Sequence, residues 1–194
     1  MIKNRSLTER KIIKAVGETI KAHGYLGLGV NKIARVAGVN KNLIYRYFGT
    51  VEELVETYIR HKDYWLDDNP DFDQAFLPDA PKGKMIDVIA SLLQHQFTYF
   101  FKEEEMQHLI LSEITHDHEL LKKISLLREE MAEPFFEATN SHFEDTDVNF
   151  RGITALLNAG IYYLVLQSQK NDATNCGLNL RTETDRQIIL QTIR

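Results

Sequence analysis

Residues 30–48 of this chain read VNKIARVAGVNKNLIYRYF, which is the pattern of two short helices separated by a glycine turn. A helix is predicted over 30–37, where apolar residues recur at helical spacing, and Gly38 supplies the turn. Asn40 is a good N-cap for a second helix, which is predicted to end at Gly49. Two short helices joined in this way form the helix-turn-helix motif, whose second helix enters the major groove of DNA.

The second of these helices presents polar and basic side chains opposite its apolar side. They offer two positive charges, an amide and two phenols, and these groups suit phosphates and base edges. They are Lys41, Asn42, Tyr45, Arg46 and Tyr47. Helical hairpins with a glycine turn also occur in proteins that do not bind DNA, so the motif alone leaves both interpretations open.

Charge is divided unevenly along the chain. Residues 1–50 carry ten Lys or Arg and two acidic residues, a net charge of +8, whereas residues 51–194 carry a net charge of −13. A basic N-terminal segment attached to an acidic remainder is expected to bind a polyanion. The alternative is that the basic residues cluster there by chance.

Residues 7–55 resemble the DNA-binding region of the TetR family of repressors. The resemblance is carried by Ile-Ala-x-x-Ala-Gly-Val at 33–39, by x-Tyr-x-Tyr-Phe at 44–48, and by Glu-Glu-Leu at 52–54. It implies a three-helix DNA-reading head, a homodimer, and a larger helical C-terminal domain that binds a small effector and dimerises.

The same resemblance implies roles for individual residues. It implies base or phosphate contacts for Lys41, Asn42 and Tyr45. It also implies a phosphate contact for Tyr47 and a core position for Phe48. The complete set of predicted DNA contacts is Lys32, Asn40, Lys41, Asn42, Tyr45, Arg46 and Tyr47.

Three departures from the family pattern affect the DNA contacts. Gly29 stands where the family usually has a serine or threonine, so the N-cap of the helix over 30–37 is expected to be weak. Asn42 and Leu43 replace a common Gly-Thr pair, which removes a hydroxyl contact to phosphate and adds an amide. Val51 stands where a lysine often touches the DNA backbone. The operator sequence of relatives therefore does not carry over.

The chain is predicted to be all-α, because no segment shows the period-two alternation of a strand. Prolines, aspartates and a glycine concentrate near 67–84 and break the helical pattern. We expect a helix-turn-helix DNA-binding domain over 1–50, a connecting helix and Pro/Asp-rich loop over 51–84, and an effector-binding and dimerisation domain over 85–194. Further helices are predicted over 7–23 (capped by Ser6 and Glu9), 51–66, 85–102, 103–116, 118–142 (kinked or broken at Pro134), 147–170 and from about 182.

Polar residues within apolar helix faces suggest an effector site. Gln96 lies near the middle of the apolar face that also carries Phe100, and Glu113 lies among the apolar residues of the next helix. Buried polar groups need partners, so each either bonds to another helix or anchors a ligand. The predicted effector contacts are Gln96, Phe100, Glu113 and Tyr163, and the predicted ligand is mostly apolar. A buried Glu113 would favour a ligand that donates hydrogen bonds or is positively charged.

The helix predicted over 147–170 is apolar nearly all round and must be covered on both sides. It is either the central core helix of a monomer or a helix of the dimer interface. The resemblance favours the dimer interface.

Other function classes are disfavoured. The single cysteine, Cys176, excludes a disulfide framework and a multi-cysteine metal site. Glu105-x-x-His108 and Glu113-x-x-His116 each match half of a di-iron site, but they lie in one segment and cannot face each other across a bundle. Catalytic motifs, an N-terminal apolar signal and a membrane-spanning run are absent from the sequence. We therefore expect a cytoplasmic protein that is not an enzyme and uses no metal or cofactor.

These observations predict a transcriptional regulator, specifically a repressor. It is expected to bind a palindromic operator in double-stranded DNA as a homodimer and to be released by a small effector. The alternative is a DNA-binding scaffold that is regulated by a protein partner or is constitutive, with no small-molecule pocket. An enclosed cavity holding Gln96 or Glu113 would favour the first.

Overall fold

A computed structural model describes residues 2–62, 82–171 and 173–194. These residues form nine α-helices and a short 3-10 turn at Tyr25–Gly27, and within the same ranges the only β-type pairing is an isolated bridge between Asn175 and Leu178. The all-α prediction is confirmed. The helices are α1 Ile2–His23, α2 Val30–Ala37, α3 Lys41–Phe48, α4 Val51–Lys62, α5 Lys82–Lys102, α6 Glu104–Thr115, α7 Glu119–Phe143, α8 Phe150–Lys170 and α9 Glu183–Thr192.

The chain divides into two compact units. The first unit comprises residues 1–67 and 104–128, and the second unit comprises residues 68–103 and 129–194. Most of the predicted Pro/Asp-rich loop, and the end of the helix predicted over 51–66, lie outside the described residues. The domain boundaries that composition suggested at residues 50 and 84 stay a prediction.

The start of α1 differs from the sequence prediction. The helix begins at Ile2 rather than Leu7, so Ser6 lies inside it and the predicted capping box with Glu9 is wrong. Glu9 instead accepts a hydrogen bond from Arg5, with 2.9 Å between Arg5 Nε and Glu9 Oε1. Oppositely charged residues one turn apart stabilise a helix, so this pair supports the first turns of α1.

Of the predicted kink or break at Pro134, the break is wrong, because α7 continues through this residue, and the kink stays a prediction. Proline removes one hydrogen bond from a helix interior. The next residue, Phe135, is buried and packs against Phe150 of α8, with 6.1 Å between the ring centroids. Phe143, two turns further along α7, stacks on the same ring at 4.6 Å. This packing holds the second half of α7 in helical conformation despite the proline.

In the first unit, α6 is attached to α1 and α4 by buried and charged contacts. Tyr58 of α4 is buried, and its hydroxyl donates a hydrogen bond to Glu105 of α6. Gly17 of α1 leaves room for this pair, because a Cβ at that position would lie 2.7 Å from the Tyr58 hydroxyl oxygen. Lys21 of α1 and Glu104 of α6 form an ion pair of 2.7 Å beside it.

In the second unit, α5 packs against α8 and α9. Gln96 of α5 donates a hydrogen bond to Asn158 of α8. One turn later Phe100 meets Tyr162, with 4.8 Å between the ring centroids. On α9, the Leu190 carbonyl accepts a hydrogen bond from Gln94, with 2.6 Å between Gln94 Nε2 and the oxygen. The apolar face that was predicted around Gln96 therefore contacts α8, and Gln94, on another side of α5, contacts α9.

Candidate nucleic-acid interface

Local hydrogen bonds shape the turn between α2 and α3. Gly38 ends α2 in the left-handed region, with φ 65° and ψ 34°, where a side chain would be strained. The Asn40 side chain accepts a hydrogen bond from the backbone N–H of Asn42, with 2.9 Å between Asn40 Oδ1 and Asn42 N. This is the predicted N-cap of α3, and it is confirmed. Gly29 at the start of α2 makes no side-chain cap, as expected for a glycine.

The apolar residues between these helices are fully buried. Ile33 of α2 and Ile44 of α3 both have 0% exposure, and the core they share continues into α1 and α4. Burial of this side of α3 fixes which of its residues face outward. The helix therefore presents the opposite side to solvent, as the sequence pattern predicted.

Most of the predicted DNA contacts lie together on that outward side. Lys41, Asn42, Tyr45 and Arg46 are exposed, and Tyr47 is partly buried. The Asn42 side chain makes no hydrogen bond to any residue that the structure describes, so its amide retains both its donors and its acceptor. The exposed residues Lys41, Asn42, Tyr45 and Arg46 together give α3 a surface that can form hydrogen bonds with phosphates and base edges.

Two predicted contacts have structural partners instead. Lys32 lies on α2, where its Nζ donates a hydrogen bond to the Gly27 carbonyl at 3.0 Å. Asn40 uses its side-chain oxygen to cap α3. Lys32 thus ties α2 to the 3-10 turn before it, and Asn40 supports the start of α3. A DNA contact by either residue stays a prediction.

The structure adds one residue that the sequence prediction missed. The Arg5 guanidinium lies over the Tyr47 ring, 5.3 Å from its centroid. The prediction that α1 starts at Leu7 placed Arg5 outside the helix. The signal that could have found it is the one-turn spacing of Arg5 and Glu9.

Sequence reasoning also missed the capping box that starts α4. Thr50 N donates to Glu53 Oε2 at 2.8 Å, and Glu53 N donates to Thr50 Oγ1 at 3.1 Å. These reciprocal bonds satisfy two backbone donors directly after α3. They fix the start of α4 at Val51.

The predicted effector contacts have different surroundings. Gln96 is 1% exposed, and its Oε1 has no hydrogen-bond partner among the described residues. Phe100 is buried beside it along α5, whereas Tyr163 of α8 is 60% exposed. These three residues belong to the second unit and Glu113 belongs to the first.

Glu113 already has a cationic partner. Both of its carboxylate oxygens accept hydrogen bonds from Arg128 Nη1, at 2.9 and 2.7 Å. The guanidinium supplies the positive charge that the sequence analysis expected from a ligand. Glu113 also lines an open cleft of about 400 Å³, together with His116, Leu121, Lys122, Ser125 and Leu126.

Two structural findings bear on other function classes. Within residues 2–62, 82–171 and 173–194, no three His, Cys, Asp or Glu side chains are grouped so that they could hold a metal ion. None of the helices described is both long and apolar enough to cross a membrane.

Comparison with known proteins relates this chain to bacterial regulators. Residues 12–58 match the family described as bacterial regulatory proteins, tetR family. This match agrees with the resemblance that was found over residues 7–55. No curated protein matches the chain.

Solved structures of regulators share the fold along nearly the whole chain. NalD of Pseudomonas aeruginosa, the secondary repressor of the MexAB-OprM multidrug efflux pump, matches with a TM-score of 0.66 at 16% identity, over 98% of this chain and 95% of that chain. FadR of Bacillus subtilis, solved in complex with stearoyl-CoA, matches with a TM-score of 0.65 at 17% identity, over 95% of this chain and 96% of that chain. A putative TetR-family regulator from Rhodococcus sp. matches with a TM-score of 0.60 at 20% identity, over 97% of each chain.

Identities this low establish the fold alone, whereas the family match rests on the sequence of the DNA-reading head. Residues 12–58 thus match the tetR family of bacterial regulatory proteins, and the chain has the fold of the solved regulators.

Proposed function

We propose that this protein is a transcriptional repressor that binds a palindromic operator as a homodimer and is released by a small, mostly apolar effector. The observation that carries the proposal is the outward side of α3, where Lys41, Asn42, Tyr45 and Arg46 are exposed together. The glycine turn and the Asn40 cap fix the start of α3 through its backbone. The exposed side chains of α3 are not needed for this and can contact DNA. The family match to residues 12–58 supports the same function.

The experiment that tests this function is selection of bound sequences from genomic DNA at moderate salt. Two symmetry-related recognition helices are expected to enrich a palindrome whose half-sites lie about 34 Å, or a multiple of that distance, apart. Enrichment of no sequence, or of a single half-site, would contradict the proposal.

Exposed apolar residues on α8 support the homodimer. This helix buries Phe150, Ile161, Val165 and Leu166 in its own chain. On its other side Leu156 and Tyr163 are 76% and 60% exposed, and Ile153 and Leu157, between them and the buried side, are exposed as well. A contiguous apolar surface of this kind marks an association site. Of the two interpretations of this helix, the dimer interface is therefore the one that we propose.

The effector site is proposed around Gln96 in the second unit. A buried amide oxygen without a hydrogen bond costs free energy, and a donor on a bound molecule would recover it. Phe100 and its neighbours on α5 supply apolar surface. FadR, which has a similar fold, was solved with stearoyl-CoA, and this supports an effector with a long apolar part.

Substitutions in α3 are expected to separate base reading from phosphate binding. Asn42→Ala should change the selected sequence, because an amide can pair with adenine through two hydrogen bonds worth about 1–3 kcal/mol of discrimination. Tyr47→Phe should weaken binding to all sequences alike, because phosphate contacts carry no direct sequence information. Sequence selection with both variants measures the difference. An unchanged base preference with Asn42→Ala would reject that residue as a base contact.

The effector proposal predicts a preference among molecules with the same apolar chain. 1-Decanol should raise the melting temperature and lower operator affinity, because its hydroxyl can donate to Gln96 Oε1 without burying a charge. Decanoate has no donor when ionised, and decylammonium buries a charge, so both should act less. Effectors of this type change operator affinity by about 5–150-fold.

Gln96→Leu is the variant that tests the anchor. It removes the acceptor, so the preference for the alcohol should disappear, whereas an exposed variant such as Thr98→Val should keep it. If no probe stabilises the wild type at any concentration, a regulator without a small-molecule pocket becomes the better description.

A further inference from the structure

We infer that Arg5 is an additional phosphate contact on the DNA-binding surface, positioned by Glu9 and Tyr47. This inference rests on the proposed DNA-binding function. It adds a residue from α1 to a surface that the sequence analysis assigned to α2, α3 and the turn between them.

Two neighbours hold the Arg5 guanidinium in place. Its Nε donates a hydrogen bond to Glu9 Oε1 at 2.9 Å, and its Cζ lies 5.3 Å from the centre of the Tyr47 ring. A guanidinium over the face of a tyrosine ring is attracted by the ring's quadrupole. An arginine that is held at both its Nε and its planar face has lost much of its conformational freedom before any ligand arrives.

The N–H donors of Arg5 that are not used within the protein suit an anionic ligand. The side chain is 63% exposed, and its only hydrogen bond within the described residues uses Nε, so both Nη groups keep their N–H donors. Two parallel N–H donors match the geometry of a phosphate. The Glu9 hydrogen bond raises the pKa of Arg5 above its ordinary value, and an arginine guanidinium is positively charged at neutral pH in any case.

The position of Arg5 indicates DNA rather than another anion. Tyr47 lies on α3, and the proposed function gives it a phosphate contact. DNA carries one phosphate for each 3.4 Å of rise along a strand, so a group 5.3 Å from the Tyr47 ring reaches the same phosphate or the next one. Glu9, whose side chain is 31% exposed, balances the charge when DNA is absent. We call Glu9 a positioning residue, because it acts through Arg5.

The test is the salt dependence of operator binding by Arg5→Gln. A lost phosphate contact lowers the slope of log K against log salt by about 0.9, so a dimer on a palindrome should lose about 1.8. Between 50 and 200 mM salt, the wild type should lose about 12-fold more affinity than the variant does. Fluorescence anisotropy with the selected operator measures the slope. The same measurement with operators changed at single bases gives the base preference, which Arg5→Gln should leave unchanged.

Lys14→Gln is the matched control. Lys14 and Glu18 form an ion pair of the same one-turn spacing on the same helix, and the lysine side chain is 79% exposed. Lys14→Gln changes the net charge by the same amount as Arg5→Gln does. Unlike Arg5, Lys14 does not lie over an aromatic ring of α3 in the part of the chain that the structure describes. Equal slopes for Arg5→Gln and Lys14→Gln would overturn the inference and show a general charge effect.

Two further variants make the outcomes separable. Arg5→Lys keeps the charge but loses the planar fork, so it should keep most of the slope and bind more weakly. Arg46→Gln tests the proposed function itself. If Arg46→Gln lowers the slope and Arg5→Gln does not, only the role of Arg5 fails. If neither variant changes the slope and no operator is selected, the DNA-binding function fails.

Discussion

Replacement of Leu156 by aspartate is expected to convert the protein from a dimer into a monomer and to abolish tight operator binding. Leu156 is 76% exposed in the single chain, so the substitution removes little packing within it. In a dimer formed through α8, the carboxylate would be buried without a partner, which is strongly destabilising. Each protomer would then contact only one half-site, and the combined affinity of two linked half-sites would be lost. Light scattering coupled to size-exclusion chromatography measures the mass directly.

Leu126→Asp provides the control for this experiment. Leu126 is 64% exposed and lies on α7 in the first unit. The same chemical change there should leave the mass and the operator affinity nearly unaffected. A wild type that is monomeric, or a Leu156→Asp variant that remains dimeric, would reject α8 as the interface.

Ile44→Ala is expected to destabilise the DNA-reading head by about 2–5 kcal/mol, the range found when buried isoleucines or leucines are truncated. Ile44 has 0% exposure and packs where α3 meets the core of the head. The family resemblance implied the core position for Phe48, but that side chain is only partly buried. We therefore expect Ile44→Ala to cost more than Phe48→Ala. Urea unfolding followed by far-ultraviolet circular dichroism measures both.

Val36→Ala is the matched control for the stability experiment. Val36 is an exposed apolar residue on α2, and truncation at such a position usually changes stability by less than about 0.5 kcal/mol. If Ile44→Ala and Val36→Ala unfold at the same urea concentration, α3 is not held by the packing described above.

Much of the DNA-reading head could be predicted because its structure depends on residues close together in the sequence. The turn between α2 and α3 rests on Gly38, and the start of α3 rests on a hydrogen bond from Asn42 to Asn40. Such contacts span two to five residues, so the local pattern contains them. The error at Ser6 arose because the one-turn pair of Arg5 and Glu9 was overlooked. The break expected at Pro134 was wrong where packing of Phe135 on Phe150, 15 residues further along the chain, outweighed the local signal.

The candidate effector residues show the opposite case. Helical spacing predicted that Gln96 lies on an apolar face, and its burial agrees with that. Its partner, Asn158, lies 62 residues further along the chain, and Arg128, the partner of Glu113, lies on the next helix. Spacing within one helix says which side is apolar, but it contains no information about which other helix covers that side.

The sequence by itself determined the all-α class, the helix-turn-helix and the groups that α3 presents to solvent, because capping, glycine turns and helical periodicity act over a few residues. Only the tertiary structure decided that Arg5 lies over Tyr47, that Arg128 neutralises Glu113, and that one side of α8 remains exposed. These features depend on the packing of segments that are distant in the chain. Packing selects among many partners that the same apolar and charged pattern would permit.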